Sequence, residues 1–116
     1  MLREAQGPRR RKGLGRPGRF VPRLNMTTLT PAQIEAELRA VPHWSRQGPS
    51  IARTFQFKDF AAAIAFVNAV AGLAEDAWHH PDIDVRWNTV TLTLTTHDAG
   101  GLTERDFALA TSIDAL

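Results

Sequence analysis

Residues 75–106 read EDAWHHPDIDVRWNTVTLTLTTHDAGGLTERD, and this stretch decides how the chain folds. It predicts the end of one helix, a β-hairpin and the start of another helix. Pro81 disfavours helical backbone at the residue before it, so the first helix is expected to end near Trp78 or His79. Three of the four histidines fall at the breaks between these elements, two immediately before Pro81 and His97 after an alternating apolar run.

The middle of this stretch is typical of two adjacent β-strands. Apolar residues alternate with charged ones over 83–87, and with threonines over 90–95. Asn88-Thr89 is a plausible tight connection between them. Because side chains alternate between the two faces of a strand, the pattern predicts a hairpin with one dry and one wet face.

The same N-terminal capping pattern predicts the start of two helices. Thr30 as N-cap, with Pro31 after it and Gln33 three residues on, forms a capping box. The chain repeats this pattern with Thr103 as cap and Asp106 in the acidic third position. The sequence therefore predicts a first helix that Pro42 stops and a last helix that follows the second hairpin.

The segment between these helices supplies another hairpin and another helix. Residues 44–57 predict a hairpin around the turn sequence Gln47-Gly48-Pro49-Ser50, because apolar and more polar residues alternate over 51–57. Asp59 can cap a second helix that runs to about Trp78. Its Ala-rich, almost all-round apolar surface predicts burial on more than one side, under the sheet and at an oligomer contact.

The order of elements is therefore helix, two strands, helix, two strands, helix. Hairpins joined through a helix predict an α+β fold, a two-layer sandwich of a four-stranded antiparallel sheet with three helices on one face. A chain of 116 residues has room for one such domain. No apolar run is expected to reach the roughly 18 residues of a membrane span.

Charge is divided unevenly along the chain. Residues 1–26 carry eight basic residues and one acidic residue, whereas residues 27–116 carry six basic and eleven acidic residues. The folded part is therefore acidic, and nucleic-acid binding is not expected of it. The absence of cysteine excludes disulfides and thiolate chemistry and fits a cytoplasmic protein.

The basic N-terminal extension is interpreted as a separate segment. It is rich in Arg, Gly and Pro and lacks periodicity, which favours disorder. Met26 stands immediately before the ordered pattern, so an upstream start-codon artefact is an equal alternative. A basic arm that binds nucleic acid or an anionic surface also stays open.

The histidines are the strongest indication of chemistry. His79, His80 and His97 stand at two element ends, where imidazoles can donate and accept protons near neutral pH. The alternative for the adjacent pair is a helix-capping residue beside an exposed one, and for His97 an exposed loop histidine. A zinc site would be rival chemistry, but its usual spacings, i and i+2 or i and i+4, are missing.

Several blocks of residues closely resemble the pterin-4a-carbinolamine dehydratases, and the likeness covers roughly residues 28–116. The blocks are Trp44, Phe-x-Phe-Lys-Asp-Phe at 55–60, Ala-Glu-x-x-x-His-His-Pro-Asp at 74–82, Trp-Asn at 87–88, Thr-Thr-His-Asp at 95–98 and Gly-Gly-Leu-Thr-x-x-Asp at 100–106. Jointly they are far more specific than His-His-Pro alone.

The resemblance implies dehydration of a 4a-hydroxytetrahydropterin to a quinonoid dihydropterin, with no metal or redox cofactor. By motif position it implies His79 and His97 as acid–base residues and His80 as a substrate-binding residue with possible catalytic involvement. Further substrate-binding residues are expected among the acidic and aromatic positions, namely Glu75, Asp98, Asp106 and Trp44. Of these, Glu75 and Asp106 are expected to orient the histidines or the pterin ring. A homodimer or homotetramer is the expected assembly.

Three positions depart from the pattern of familiar family members. Trp78 stands where a polar residue is usual, Ile83 where an aromatic often follows, and Trp87 where tyrosine is more usual. None of them is one of the three histidines, so they bear on pocket shape and substrate preference. Relatives in animals also act as dimerisation cofactors of a transcription factor, which leaves a non-catalytic binding module as the alternative function.

Overall fold

A computed structural model describes residues 27–116 of the chain. The basic extension over residues 1–26 lies outside the described residues, so none of its interpretations is tested. The helices are α1 Pro31–Ala40, α2 Phe60–Ala77 and α3 Glu104–Asp114, and the strands are β1 Ser45–Gln47, β2 Ser50–Gln56, β3 Asp82–Arg86 and β4 Thr89–Leu94. A 3-10 turn over His97–Ala99 separates β4 from α3.

The four strands form one antiparallel sheet in the order β1-β2-β4-β3. This confirms the predicted α+β architecture with its three helices. Helix α2 contacts both β4 and α3, and α1 contacts α3. The outer face is polar, and Thr54 and Thr91 share a hydrogen bond of 3.0 Å there.

The core lies between the sheet and the helices. Ile51, Leu92 and Leu94 from the strands are fully buried against residues such as Val70 of α2 and Ile113 of α3. Burying one such side chain contributes about 1.5–3 kcal/mol relative to exposure. This core fixes the positions of the C-terminal ends of β4 and α2 relative to each other.

Both predicted capping boxes are confirmed. In α1, the Gln33 amide donates to Thr30 Oγ1 at 3.2 Å and the Thr30 amide donates to Gln33 Oε1 at 2.8 Å. In α3, the Thr103 amide donates to Asp106 Oδ2 at 2.9 Å. Each box satisfies backbone N–H groups that the first turn of a helix leaves without a partner.

The second hairpin differs from its prediction by one residue. The turn is Trp87-Asn88, and Thr89 already pairs with Arg86. Asn88 fixes this position because its Nδ2 donates to the Phe57 carbonyl at 2.8 Å, while the Phe57 amide donates to the Asn88 carbonyl at 2.8 Å. Trp87 therefore leaves the strand and adopts a positive φ of 52°.

The dry face of this hairpin is also narrower than predicted. Strand β4 alternates as expected, with Val90, Leu92 and Leu94 buried. In the edge strand β3, however, only Val85 is partly buried, whereas Ile83 is exposed. Strand β3 lies at the edge of the sheet, where alternation does not by itself translate into burial.

Helix α2 differs from the expectation that no apolar run reaches the length of a membrane span. Its 18 residues have a mean hydropathy of 1.4, so by length and composition alone the helix could cross a membrane. It instead packs on the sheet, with Ala63, Val70 and Ala74 buried. Because only these three are buried, burial on more than one side is not seen within one chain, and the oligomer contact stays a prediction.

Candidate active site

The C-terminus of α2 directs the two adjacent histidines apart. Trp78 is the C-cap of the helix and adopts the left-handed conformation, with φ 51° and ψ 41°. Its amide donates to the Glu75 carbonyl, and the His79 amide donates to the Ala74 carbonyl at 3.1 Å. This reversal of the chain buries His79 and leaves His80 exposed. A left-handed residue with such back-bonding is a common way to end a helix.

His79 forms a buried pair with Asp106. Its Nε2 lies 2.6 Å from Asp106 Oδ1, and the two side chains are 8% and 0% exposed. An ionised carboxylate can only accept hydrogen bonds, so the pair assigns a proton to Nε2. The other ring nitrogen, Nδ1, is then the one left to exchange a proton with a ligand.

The second oxygen of Asp106 connects the pair to two further elements. Oδ2 accepts from Thr96 Oγ1 and from the Thr103 amide, each at 2.9 Å. The two threonine hydroxyls lie 2.8 Å apart. One carboxylate thus holds the end of β4, the start of α3 and the His79 ring in a fixed arrangement, since each of its oxygens has a partner.

His80 is held differently, by a partner on the surface. Its Nε2 lies 2.6 Å from Glu75 Oε2, with side-chain exposures of 54% and 72%. Exposed pairs of this kind contribute about 0–1 kcal/mol to stability. The contact with Glu75 therefore serves mainly to orient the imidazole.

His97 reaches the same region from the segment that follows β4. It begins the 3-10 turn after β4, which Gly100 closes with a φ of 78°. Thr96 and Gly101 pair as an isolated antiparallel bridge, so the turn projects as a compact loop. Both His97 and Asp98 are exposed, and within residues 27–116 the pair shows no hydrogen bond between their side chains.

These element ends meet around one cleft of about 210 Å³. The lining residues come from the end of α2, the end of β4, the 3-10 turn and the start of α3. They are Trp78, His79, His80, Thr95, Thr96, His97, Asp98 and Arg105. The fold thus brings the three predicted histidines and Asp98 to a single cavity, although their chemical roles stay predictions.

Other predicted site residues lie outside the lining of this cleft. Trp44 is in the core at 3% exposure, where its Nε1 donates to Asp114 Oδ1 at 2.8 Å. Asp106 is fully buried behind His79, and Glu75 lies beyond His80. The two acidic residues thus each contact a cleft histidine, and the orienting role that the resemblance implies for them stays a prediction. Trp44 contacts no cleft histidine.

Two residues at the site were not singled out from the sequence. Thr96 supplies a buried hydroxyl to Asp106. Arg105 lines the cleft, and its Nη2 donates to the carbonyls of Ala77 and Trp78 at the end of α2. Only the placement of Arg105 within the Gly-Gly-Leu-Thr-x-x-Asp block hinted at it, because its partners are distant in sequence.

A second cavity of about 230 Å³ lies between α2 and α3. His79 and Arg105 line it as well as the first cleft, and its remaining walls include Leu73 and Leu109. It is more apolar and has one histidine, so the chemistry is concentrated in the first cleft. Among residues 27–116, no cluster of three or more His, Asp and Glu side chains is arranged to hold a metal ion.

Comparison with known proteins identifies the family. The sequence model of the pterin 4 alpha carbinolamine dehydratases matches residues 27–116, the whole of the described fold. The chain belongs to this family. A relative from Acidobacterium capsulatum, provisionally named a pterin-4-alpha-carbinolamine dehydratase, is 62% identical over 91 residues, which cover 78% of this chain and 99% of the relative. One from Roseiflexus sp., with the same provisional name, is 60% identical over 90 residues, 78% of this chain and 97% of the relative.

Solved structures of related proteins agree with the family. A transcriptional coactivator/pterin dehydratase from Brucella melitensis has a TM-score of 0.74 and 36% identity, covering 77% of this chain and 97% of its own. A pterin dehydratase-like protein described as a RuBisCO assembly factor in the alpha-carboxysome has a TM-score of 0.51 and 30% identity, covering 62% of this chain and 83% of its own. The dehydratase fold thus occurs in proteins with more than one described task.

Proposed function

We propose that the chain is a hydro-lyase that dehydrates 4a-hydroxytetrahydropterins of the tetrahydrobiopterin type to quinonoid dihydropterins, acting in tetrahydropterin recycling. The observation that carries the proposal is the single cleft lined by His79, His80 and His97. Membership of the pterin carbinolamine dehydratase family supports the substrate class. A cytoplasmic homo-oligomer is the proposed setting.

The reaction needs two proton transfers. An acid gives a proton to the 4a-hydroxyl, the C4a–O bond breaks, and the oxygen leaves as water. A base takes the proton from N5, and the N–H electron pair becomes the second bond between C4a and N5. Positioned side chains that exchange protons near neutral pH accelerate such steps by about 10²–10⁴-fold.

We assign the donor and acceptor roles to His79 and His97. His79 lines the cleft, and its Nδ1 is the ring nitrogen left for proton exchange because Asp106 engages Nε2. The buried carboxylate also stabilises positive charge that develops on the ring during transfer, as a carboxylate does for histidine in hydrolytic triads. His97 stands on the opposite element end and is exposed, so its ring can exchange protons with both substrate and water.

The remaining polar residues of the cleft are proposed to hold the pterin. His80, oriented by Glu75, supplies a ring nitrogen for hydrogen bonding. Asp98 supplies a carboxylate that can accept from the adjacent N–H groups of the 2-aminopyrimidinone ring. This division leaves proton transfer to His79 and His97 and orientation to His80 and Asp98.

Turnover of freshly generated 4a-hydroxytetrahydrobiopterin tests the proposal. Histidine-to-alanine variants at 79, 80 and 97 are compared singly and together, with His43→Ala as the matched control, since His43 is exposed and outside the cleft. We expect kcat/KM to fall at least about tenfold for each single cleft variant and to background for the triple variant. His43→Ala is expected to match the wild type.

The same measurement separates the enzyme from a binding module. Background rates in both the wild type and His80→Ala would reject the dehydratase and favour a non-catalytic dimerisation or cofactor role. Full activity in the triple variant would reject the imidazoles as the catalytic groups. Circular dichroism of each variant verifies that it remains folded.

A further inference from the structure

Trp78 combines two features that folding alone does not require. It adopts a left-handed backbone conformation, which is strained for a bulky residue. Its side chain is 79% exposed, the highest value among the large apolar residues in the described part of the chain. Glycine or asparagine at this helix end would avoid the strain and the exposed apolar surface.

The surroundings of Trp78 hold its backbone in place. Its carbonyl accepts from Arg105 Nη2, and its amide donates to the carbonyl of Glu75. The backbone of Trp78 is therefore held from both sides, next to His79. Strained residues that the surrounding structure holds in place tend to occur where function requires them.

The composition of the cleft indicates what the indole does. Its walls are otherwise histidine, threonine, aspartate and arginine, so Trp78 is its one large apolar side chain. A flat bicyclic heterocycle carries polar groups on its edge and apolar faces above and below. The polar residues of the cleft can hydrogen-bond to the edge of such a heterocycle, whereas packing against its face requires an aromatic surface.

Trp87 shows that strain and exposure are insufficient by themselves. It has nearly the same φ, 52°, and is 70% exposed. It lies in the β3–β4 turn and lines none of the cavities described above. The distinguishing feature of Trp78 is its place in the wall of the cleft, and Trp87 is a matched control for it.

We propose that Trp78 is a specificity-determining residue that stacks on the face of the bound pterin and selects bicyclic over monocyclic heterocycles. The inference rests on the proposed function for the identity of the ligand. Stacking of a heterocyclic base on an aromatic side chain is worth roughly 5- to 100-fold in affinity. Because stacking acts on substrate and transition state alike, its loss raises KM and leaves kcat nearly unchanged.

The test compares Trp78→Asn and Trp78→Phe with Trp87→Asn. Asparagine tolerates the left-handed conformation, so both Asn variants are expected to fold. Calorimetry measures Kd for non-reacting 7,8-dihydrobiopterin and for 2,6-diaminopyrimidin-4-one, a monocyclic analogue. Turnover of the carbinolamine gives KM and kcat.

We expect Trp78→Asn to weaken dihydrobiopterin binding at least about fivefold and to raise KM similarly, with a smaller effect on the monocyclic analogue. Trp78→Phe is expected to stay within about threefold of the wild type, and Trp87→Asn to match it. An unchanged Kd and KM in Trp78→Asn would overturn the inference while the proposed function stands. A fall in kcat alone would also overturn it, because that result indicates a displaced His79.

The two proposals fail in different ways. If the wild type binds dihydrobiopterin but shows no turnover, the proposed function fails and the Kd values alone decide the role of Trp78. In that case weaker binding by Trp78→Asn supports stacking, and equal binding overturns it. Wild-type protein that does not bind dihydrobiopterin overturns both.

Discussion

Asp106 shows how one residue serves both the fold and the site. One carboxylate oxygen caps α3 and the other contacts His79. The sequence predicted the cap, because Thr103-x-x-Asp106 is a local pattern, and the family resemblance implied an orienting role. The hydroxyl of Thr96 could not be predicted, since it depends on how the end of β4 meets α3 in three dimensions.

Replacing Asp106 by asparagine separates these two tasks. The amide oxygen can still accept from Thr103 and Thr96, whereas the amide nitrogen faces His79 Nε2 as a donor in place of an acceptor. The ring must then carry its proton on Nδ1 or lose the contact. We expect kcat to fall at least about tenfold, while the free energy of unfolding changes by less than about 1 kcal/mol.

Asp106→Ala is the companion variant. It removes the cap and leaves buried donors without partners, so we expect a loss of about 2–4 kcal/mol in urea unfolding. Wild-type kcat in Asp106→Asn would show that His79 acts without its carboxylate, contrary to the assignment above.

At the scale of elements, local patterns predicted most of the fold. Helix starts, the strands themselves and the stop before Pro81 all depend on residues close in sequence, and the structure confirms them. The alternation over β3 predicted its strand but not its burial, since Ile83 is exposed. The turn of the second hairpin was misplaced by one residue because Asn88 bonds to Phe57, a partner 31 positions away. The family resemblance implies Trp44 as a substrate-binding residue, and this role stays a prediction. The bond of Trp44 to Asp114, 70 positions away, holds it in the core, which no local pattern predicts.

The two capping boxes provide a matched pair of variants. Thr30→Ala removes an exposed cap that does not line the cleft and should cost about 0.5–1 kcal/mol without changing kcat/KM. Thr103→Ala removes a fully buried hydroxyl that contacts Thr96 Oγ1. We expect it to cost about 1–3 kcal/mol and to lower kcat, because Asp106 loses part of its support.

Urea unfolding and steady-state kinetics on both variants measure this difference. If Thr103→Ala kept full kcat in its folded form, the network around Asp106 would be structural only. A loss of kcat in Thr30→Ala would mean that helix stability in general, rather than this network, limits turnover.

The strained turn at Trp87 makes an independent prediction about stability. Asparagine adopts positive φ at lower cost than tryptophan, and the ring is 70% exposed, so little packing is lost. We expect Trp87→Asn to raise the free energy of unfolding by about 0.5–1 kcal/mol with unchanged kcat/KM. A clear loss of stability would show that the indole contributes contacts beyond the single chain.

At the scale of the whole molecule, the sheet order explains why distant residues meet. Strands β2 and β4 pair at the centre of the sheet, so the second hairpin packs beside the first. The end of β4 therefore lies near the C-terminus of α2. Spacing in the sequence could place three histidines at two element ends. It could not show that those ends share one cleft, since that depends on the packing of α2 and α3 on the sheet.

The charge asymmetry of the chain leads to a prediction about residues 1–26. The cleft and its supporting network lie wholly within residues 27–116. A chain that begins at Met26 is therefore expected to keep wild-type kcat/KM and a free energy of unfolding within about 0.5 kcal/mol. If residues 1–26 act as a nucleic-acid-binding arm, the full chain is expected to bind duplex DNA with strong salt dependence, and the shorter chain is expected not to bind it. Lower kcat/KM in the shorter chain would contradict a purely separate extension.

The central claim is that three imidazoles from two element ends form one pterin site. The most direct measurement is a titration of the ¹H–¹⁵N resonances of the four histidine rings with non-reacting 7,8-dihydrobiopterin. We predict that His79, His80 and His97 shift together along one saturation curve while His43 does not move. If His97 stayed fixed while the adjacent pair shifted, or if none of the three responded at saturating ligand, the claim would be contradicted.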